Sequence, residues 1–344
     1  MGMLIDGQWV DDDTIIHNGD FKRPETGLDR VKSKQEMARI AADVMTSGRY
    51  HLITSMSCPW SQRVNLLRIQ KELQPVIPVQ IAGGRRVQGY PVNNGNPWRV
   101  PGSAVQIRHL HQLYSLGHPS FTGRATVPVL WDAQDQRIIS NESSDLMRFL
   151  NALDGRSGGN ERDFFPAVLA AEIDEMDRWL YENLSNAAYR AGFARTQSAY
   201  DDAVSRVFAT LDALETRLKD QRFLLGNVLT GADWLLLPAL LRFDIAYYSH
   251  FRCTRRRLVD YPALWAYARD LYQLPGVAVT VDFSLIQKGY WQNDGDNNPH
   301  GIVPLMPDMD WCAPHDRNRF GEVMVYASDG CDRPYDACDL VGVG

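Results

Sequence analysis

Cys58 is the residue on which chemistry would turn. It follows the β-rich run Tyr50 to Met56 and a serine, and it precedes Pro59. Proline suits the first position of a helix, where its missing N–H had no partner in any case. A cysteine between a strand and a helix N-terminus faces unpaired backbone N–H groups and the positive end of the helix dipole, which stabilise a thiolate. That reading makes Cys58 a nucleophile at neutral pH, against the alternative of a small buried hydrophobe, the usual fate of a lone cysteine. Ser61 stands three positions on, where a dithiol enzyme carries its second cysteine. A disulfide within the motif is therefore impossible, and any mixed disulfide must be resolved by an external thiolate. A small-molecule thiol is the expected cosubstrate.

Two other groups could hold such a thiol. Pro128, in TVPVL, cannot donate to a β-ladder, so it marks either a protected edge or a turn with a cis peptide bond, and the residue alone leaves both open. Asn141-Glu142-Ser143-Ser144 opens a helical stretch, where hydroxyls and free N–H groups either cap the helix or bind a carboxylate. Glu142 can also accept from an ammonium group. The two features suit the amino-acid end of a γ-glutamyl thiol.

Elements that would position these residues follow from the apolar pattern. After Cys58, the apolar positions Trp60, Val64 and Leu67, with Leu66, Ile69 and Leu73, have helical spacing, and Pro75 to Ile81 reads as a second strand, giving a βαβ unit with a parallel crossover. Thr126 to Trp131 and Arg137 to Ser140 read as paired strands before a helix from Ser143 to Leu150. The order βαβ then ββα is thioredoxin-like. Between them, Gly83 to Gly123 reads as an irregular insertion with one helix around Val105 to Leu116. Beyond the Gly/Ser-rich GRSGGN the pattern is helical, near Pro166 to Leu184, Tyr200 to Lys219, Thr230 to Tyr248 and Pro262 to Gln273. Thr230 and Asp233 have capping-box spacing ahead of an apolar run. The expected organisation is an N-terminal extension at 1–47, a thioredoxin-like thiol-binding domain at 48–154, a linker at 155–165, a helical substrate-binding domain at 166–290 and an irregular tail at 291–344.

Composition narrows the partners. The 344 residues carry a net charge of −6, which gives no reason to expect nucleic acid or an acidic membrane. The apolar run Trp234 to Leu241 is far short of the roughly 20 residues of a membrane span, and a proline interrupts it. The opening MGMLIDGQWVDDD has neither a basic flank nor a long apolar core, so no secretory or transit signal is read there. Five scattered cysteines fit a reducing compartment, and a cytoplasmic protein is expected. Cys312, His315, Cys331 and Cys338 in the tail have spacing poor for structural zinc, so no metal is expected and a covering loop is the preferred reading.

The runs CPWSQR at 58–63, TVPVLWD at 126–132 and NESS at 141–144 resemble the thiol-binding domain of glutathione transferases. With RFDIAYYSHFRC at 242–253, DYPALWAYARDLYQLPGVAVTVDF at 260–283 and NPHGIVP at 298–304, they resemble more specifically the glutathionyl-hydroquinone reductases, the Xi class. The resemblance implies an α/β thioredoxin-like N-terminal domain followed by an all-α C-terminal domain, the glutathione transferase fold. It further implies glutathione as cosubstrate, Cys58 as nucleophile, Val127 and Pro128 pairing with the thiol's peptide backbone, and Glu142 with Ser143 at its γ-glutamyl end. Trp60 of the CPWSQR run joins this thiol-binding set. Tyr189 in NAAYRAGFA, Tyr247 in RFDIAY and Tyr290 in QKGYW match the family's substrate tyrosines, although ordinary packing is what most tyrosines do. Tyr248 is a further candidate. The chain departs from the family pattern at Ser61, Gln62, Ile245 and Ala246, and Tyr90 in GYPVN stands where a Gly-Trp step is expected.

The implied reaction is removal of glutathione from a glutathionyl-hydroquinone through a Cys58 mixed disulfide, releasing hydroquinone and oxidised glutathione with no metal or nucleotide. A homodimer is expected, as for many relatives. The rival readings are another cysteine-type transfer, on other aromatic thioethers or dehydroascorbate, and a non-catalytic binding module of the same fold.

Overall fold

The computed structural model describes residues 2–11, 16–23, 26–42, 44, 48–295 and 297–335. They fall into two units. The first comprises Met1–Ile15, Arg23–Asn160 and Ser284–Val303, and the second Ile16–Lys22, Glu161–Phe283 and Pro304–Gly344.

The first unit is built on a four-stranded sheet in the order Arg137–Ser140, Val129–Asp132, Tyr50–Thr54, Val79–Ile81. Tyr50–Thr54 runs parallel to Val79–Ile81 and antiparallel to Val129–Asp132, with Leu52 opposite Val79 and Ile53 opposite Val129. The parallel pair requires a crossover, which the helix Pro59–Gln70 supplies. Leu52, Ile53, Val129, Leu130 and Trp131 are fully buried, so this sheet carries the unit's core. The sequence reading of a βαβ unit and a following ββα unit is realised, with the last helix at Ser143–Asn151 packed beside Pro59–Gln70.

Three features of this unit add to the sequence reading. The strand at TVPVL begins only at Val129, and the Val127–Pro128 bond before it is cis. That strand is paired on both sides, so Pro128 does not protect an edge; it leads into a central strand. The segment 83–123 has the helix expected of it but is more ordered than its sequence suggests. Short pairings hold it: Gly83 and Val92 donate to Pro91 O and Arg108 O, Leu110 donates to Tyr90 O, and Trp98–Arg99 pairs with Gln106–Ile107. The helix there is Leu110–Gly117. Pairings two residues long leave no readable periodicity, which is why Gly, Pro and Asn dominate the sequence signal. Finally, the N-terminal residues carry structure of their own. The hairpin Met3–Ile5 with Gln8–Val10 exchanges two backbone hydrogen bonds with Gly123 through Leu4. The helix Arg30–Ala41 is tied down by Arg30 to Asp145 and by Glu36 to Arg137.

The second unit is mostly helical: Ala170–Leu180, Asn186–Phe193, Gln197–Arg217, Gly231–Arg242 and Pro262–Gln273, with π turns at Tyr181–Ser185 and Phe243–Tyr247. Every residue of Gly231–Arg242 is buried, as expected of a helix apolar on all sides. Its start is fixed by Asp233, whose carboxylate accepts from Thr230 N at 2.9 Å, Leu224 N at 2.9 Å and the Tyr267 hydroxyl at 2.8 Å. The tail is not wholly irregular either. Met324–Ala327 lies between Arg162–Asp163 and Val228–Leu229 and also pairs with Asp332–Pro334. Arg317, fully buried, donates to the carbonyls of Leu218 at 2.5 Å and Arg222 at 2.7 Å. Among the described residues no group of three metal-binding side chains comes together, and Cys338 lies outside them. No described helix is long and apolar enough to cross a membrane.

Candidate active site

Cys58 sits at the N-cap of Pro59–Gln70, with extended backbone, while its carbonyl already accepts the first helical bond from Gln62 N at 3.0 Å. The Cys58 side chain makes no cap bond at this terminus, and a helix N-terminus favours negative charge. The thiol is 6 % exposed and donates to Val127 O at 3.6 Å, which joins the cysteine turn to the cis peptide at Pro128. Pro59 follows from the steric logic of helix starts, and the buried Thr54, bonded to Asn65 Nδ2 at 3.1 Å, anchors the end of the strand to the helix.

The acidic end of the site lies at Ser143–Asn151. Glu142 is its N-cap, makes no side-chain cap bond, and no described residue donates to its carboxylate. Burial raises its titration point above the ordinary carboxyl value, opposed by the charges of Arg30, Arg63 and Arg23. Ser143 is buried, and its hydroxyl accepts from Arg63 Nε at 2.9 Å and Nη2 at 2.6 Å. Arg63 therefore locks the serine, while the helix N–H groups and the Glu142 carboxylate form an acceptor and donor set matched to an amino acid's ammonium and carboxylate.

Trp60 is half-buried, with the Arg23 guanidinium 4.0 Å from its ring centroid. Tyr290 is 8 % exposed in the helix Phe283–Trp291. The backbone of that helix runs against the cysteine turn: a Cβ on Gly289 would lie 2.1 Å from Ser57 Cβ. Tyr90 is close enough to Cys58, Tyr290, Arg86 and Arg23 to feel their charges, and burial pushes its phenol well above the usual value.

Of the residues singled out in the sequence, Cys58, Trp60, Val127, Pro128, Glu142, Ser143 and Tyr290 thus belong to the first unit. Tyr189 and Tyr247 belong to the second, in an aromatic cluster. Tyr247 has no exposed surface; its ring stacks on Phe251 at 5.5 Å and meets Tyr189 edge-on at 6.0 Å. Tyr189 also contacts Phe21 and Phe251.

Family models and relatives agree with this architecture. Residues 57–153 match the glutathione S-transferase N-terminal domain, and residues 197–270 match its C-terminal domain. The glutathionyl-hydroquinone reductase YqjG of Escherichia coli is 38 % identical over 93 % of this chain and 100 % of its own length. PcpF of Sphingobium chlorophenolicum, also a glutathionyl-hydroquinone reductase, is 39 % identical over 89 % of this chain and 96 % of its own. The chain belongs to the Xi-class glutathione transferases, the glutathionyl-hydroquinone reductase family.

Solved glutathione transferase structures superpose accordingly. The glutathione-bound structure of YqjG gives a TM-score of 0.75 with 39 % identity, covering 79 % of this chain and 89 % of that one. The Xi-class enzyme of Natrialba magadii gives 0.78 with 33 % identity, covering 93 % and 97 %. The expected fold class, a thioredoxin-like α/β domain with a helical C-terminal domain, holds for this family member.

Sequence reasoning did not single out Arg23, Arg63, Arg86 and Asn293, which lie against Trp60, Ser143, Ser57 and Arg86 respectively. Arg63 was available as a signal, since it lies in the CPWSQR run one helical turn beyond Pro59. Arg86 and Asn293 are 207 positions apart and meet only through the fold.

Proposed function

We propose that this protein reduces glutathionyl-hydroquinones, with glutathione as cosubstrate and Cys58 as nucleophile. The observation that carries the reading is the placement of the Cys58 sulfur at an uncapped helix N-terminus, 3.6 Å from Val127 O, in a member of the glutathionyl-hydroquinone reductase family. The Cys58 thiolate attacks the thioether sulfur of the substrate. A Cys58–glutathione disulfide bond forms as the ring carbon–sulfur bond breaks, and the released electron pair stays on the ring carbon, which takes up a proton. Hydroquinone leaves. A second glutathione thiolate then attacks the mixed disulfide, so that oxidised glutathione departs and the Cys58 thiolate is restored.

In this cycle the backbone of Val127 and Pro128 pairs with the glutathione peptide, Trp60 flanks it, and Glu142 with the Ser143 helix terminus holds its γ-glutamyl end. Tyr189, Tyr247 and Tyr290 orient the ring or supply its proton. The protein works in the cytoplasm as a homodimer, and light scattering after gel filtration would contradict the second point by returning a monomer mass.

The test is incubation with glutathionyl-hydroquinone and glutathione, with both products followed by chromatography, for the native protein, Cys58→Ala and Cys58→Ser. Hydroquinone and oxidised glutathione should form only with the native protein, and mass spectrometry should find one glutathione on Cys58. A folded native protein that turns over nothing and carries no adduct would end this reading.

A further inference from the structure

We infer that Arg86 is a specificity-determining residue that takes a carboxylate carried on the aromatic ring of the substrate. The inference rests on the proposed reductase reaction and names the class of quinol that the site favours.

Arg86 is firmly held. Its guanidinium lies over the Tyr90 ring, 4.1 Å from the centroid, and its Nη2 donates to Ser57 Oγ at 3.4 Å, one residue from the nucleophile. Its backbone N–H donates to Asn293 Oδ1 at 2.6 Å. Asn293 Nδ2 donates in turn to Gly84 O at 3.2 Å and Gly289 O at 3.1 Å, tying the Arg86 loop to the helix that bears Tyr290. An arginine stacked and braced in this way has surrendered most of its side-chain freedom before any ligand arrives, so an anion meeting it loses little entropy.

Yet the charge itself is not neutralised. Among the described residues no carboxylate pairs with Arg86, and its Nε is buried with no hydrogen-bond partner. The ionisable neighbours that act most strongly on Tyr90 are Arg86, Cys58, Tyr290 and Arg23, and none is a carboxylate. A buried, unpaired N–H costs free energy that a ligand acceptor would recover. Arg222 and Arg49, by contrast, are paired with carboxylates, Asp270 and Asp132, each at 2.8 Å. Arg86 instead directs a donor at the turn that holds Cys58, through Nη2 to Ser57 Oγ. When a thioether sulfur sits at Cys58, the ring attached to it lies beside Ser57 and Tyr90, where a ring carboxylate comes within reach of the guanidinium. The γ-glutamyl end of the same molecule is held elsewhere, at Glu142 and Ser143.

The experiment compares a glutathionylated dihydroxybenzoate with its methyl ester, which share the same glutathione carboxylates and differ only on the ring. The full-length native protein should favour the acid in kcat/KM by about tenfold to a hundredfold, the size of one charge-assisted hydrogen bond. In Arg86→Met, which keeps the stem on Tyr90, the ratio should fall to about one, and Arg86→Lys should retain part of it. A native protein that does not distinguish the pair, or an Arg86→Met variant that loses both substrates equally, would overturn the inference. So would a selective rise in KM for glutathione itself, which would assign Arg86 to the thiol. Calorimetry with Cys58→Ser separates this result from the reaction: an Arg86-dependent preference for the acid in that variant, found while the native protein turns over neither substrate, would uphold recognition while refuting the proposed chemistry.

Discussion

Gly289 offers a direct measure of how tightly the helix bearing Tyr290 is fitted to the nucleophile turn. A Cβ added at this position would lie 2.1 Å from Ser57 Cβ and 2.6 Å from Ser57 Oγ. Carbon atoms in ordinary contact sit about 3.5–4.0 Å apart, so Gly289→Ala demands a displacement of about 1.5 Å between the helix and the cysteine turn. The atom in the way is Ser57 Cβ, attached directly to the backbone, so rotating a side chain cannot relieve the clash. Overpacking of this kind costs about 1–3 kcal/mol, while replacing a helical glycine by alanine returns about 1 kcal/mol. The net loss of stability is therefore small, about 0–2 kcal/mol by these two terms. The effect on rate is larger, because a misplacement of about 1 Å in a catalytic arrangement can cost about a hundredfold. The assay is single-turnover formation of the Cys58–glutathione disulfide from glutathionyl-hydroquinone, with a urea denaturation curve on the same sample. Gly295→Ala, where an added Cβ meets nothing within 4 Å, is the control and should behave as the native protein. A Gly289→Ala variant with native rate and native urea midpoint would refute the close approach and the positioning role built on it.

Other consequences can be measured in the same preparations. Arg63→Met removes two hydrogen bonds from the buried Ser143 hydroxyl and should raise KM for glutathione by about tenfold, each bond to a charged donor being worth about 1.5–3 kcal/mol before relaxation. Glu142 titrates above its unfolded value because burial opposes its charge, so its contribution to stability is complete below the unfolded pKa and is lost as pH rises through the folded one. Stability should therefore slope downward with pH across that window and the slope should vanish in Glu142→Gln, whereas glutathione affinity should rise over the same window as the carboxylate forms. Asp233→Ala strands the N–H groups of Thr230 and Leu224 and the Tyr267 hydroxyl in the core, and a urea curve should show a loss of about 3–5 kcal/mol.

The parts of this fold that could be read from sequence are those whose signal is local. Pro59 after Cys58, the Thr230–Asp233 cap and the apolar run behind it each act within one or two helical turns, and each appears where the residues place it. The helix Pro262–Gln273 begins at its proline and ends where expected. By contrast, the strand Met324–Ala327 gains its partners from Arg162–Asp163 and Val228–Leu229, and no periodicity within four residues could announce a ladder closed over such separations. The same holds for the short pairings of 83–123, where each backbone bond is made between segments too brief to show alternation.

A parallel division runs through the site. Cys58 at its helix start, the special proline of TVPVL and the Glu142–Ser143 helix start are recognisable because each is a residue type acting on its own neighbouring backbone. Their electrostatic setting is not, because it comes from side chains brought in from far along the chain. Arg30 reaches Asp145 over 115 positions, Arg63 reaches Ser143 over 80, and Asn293 braces Arg86 over 207. Arg86 itself sits in a glycine-rich stretch that carries no helical or strand period, so in sequence it has the look of a solvated loop cation. Only the fold shows its guanidinium stacked on Tyr90 with a donor to the serine beside the nucleophile. The proposed thiol-binding geometry is thus encoded locally, whereas the charge proposed to choose among aromatic substrates is assembled by long-range contacts. Substitutions near Arg86 and Asn293 should accordingly shift substrate preference more readily than they shift the handling of glutathione.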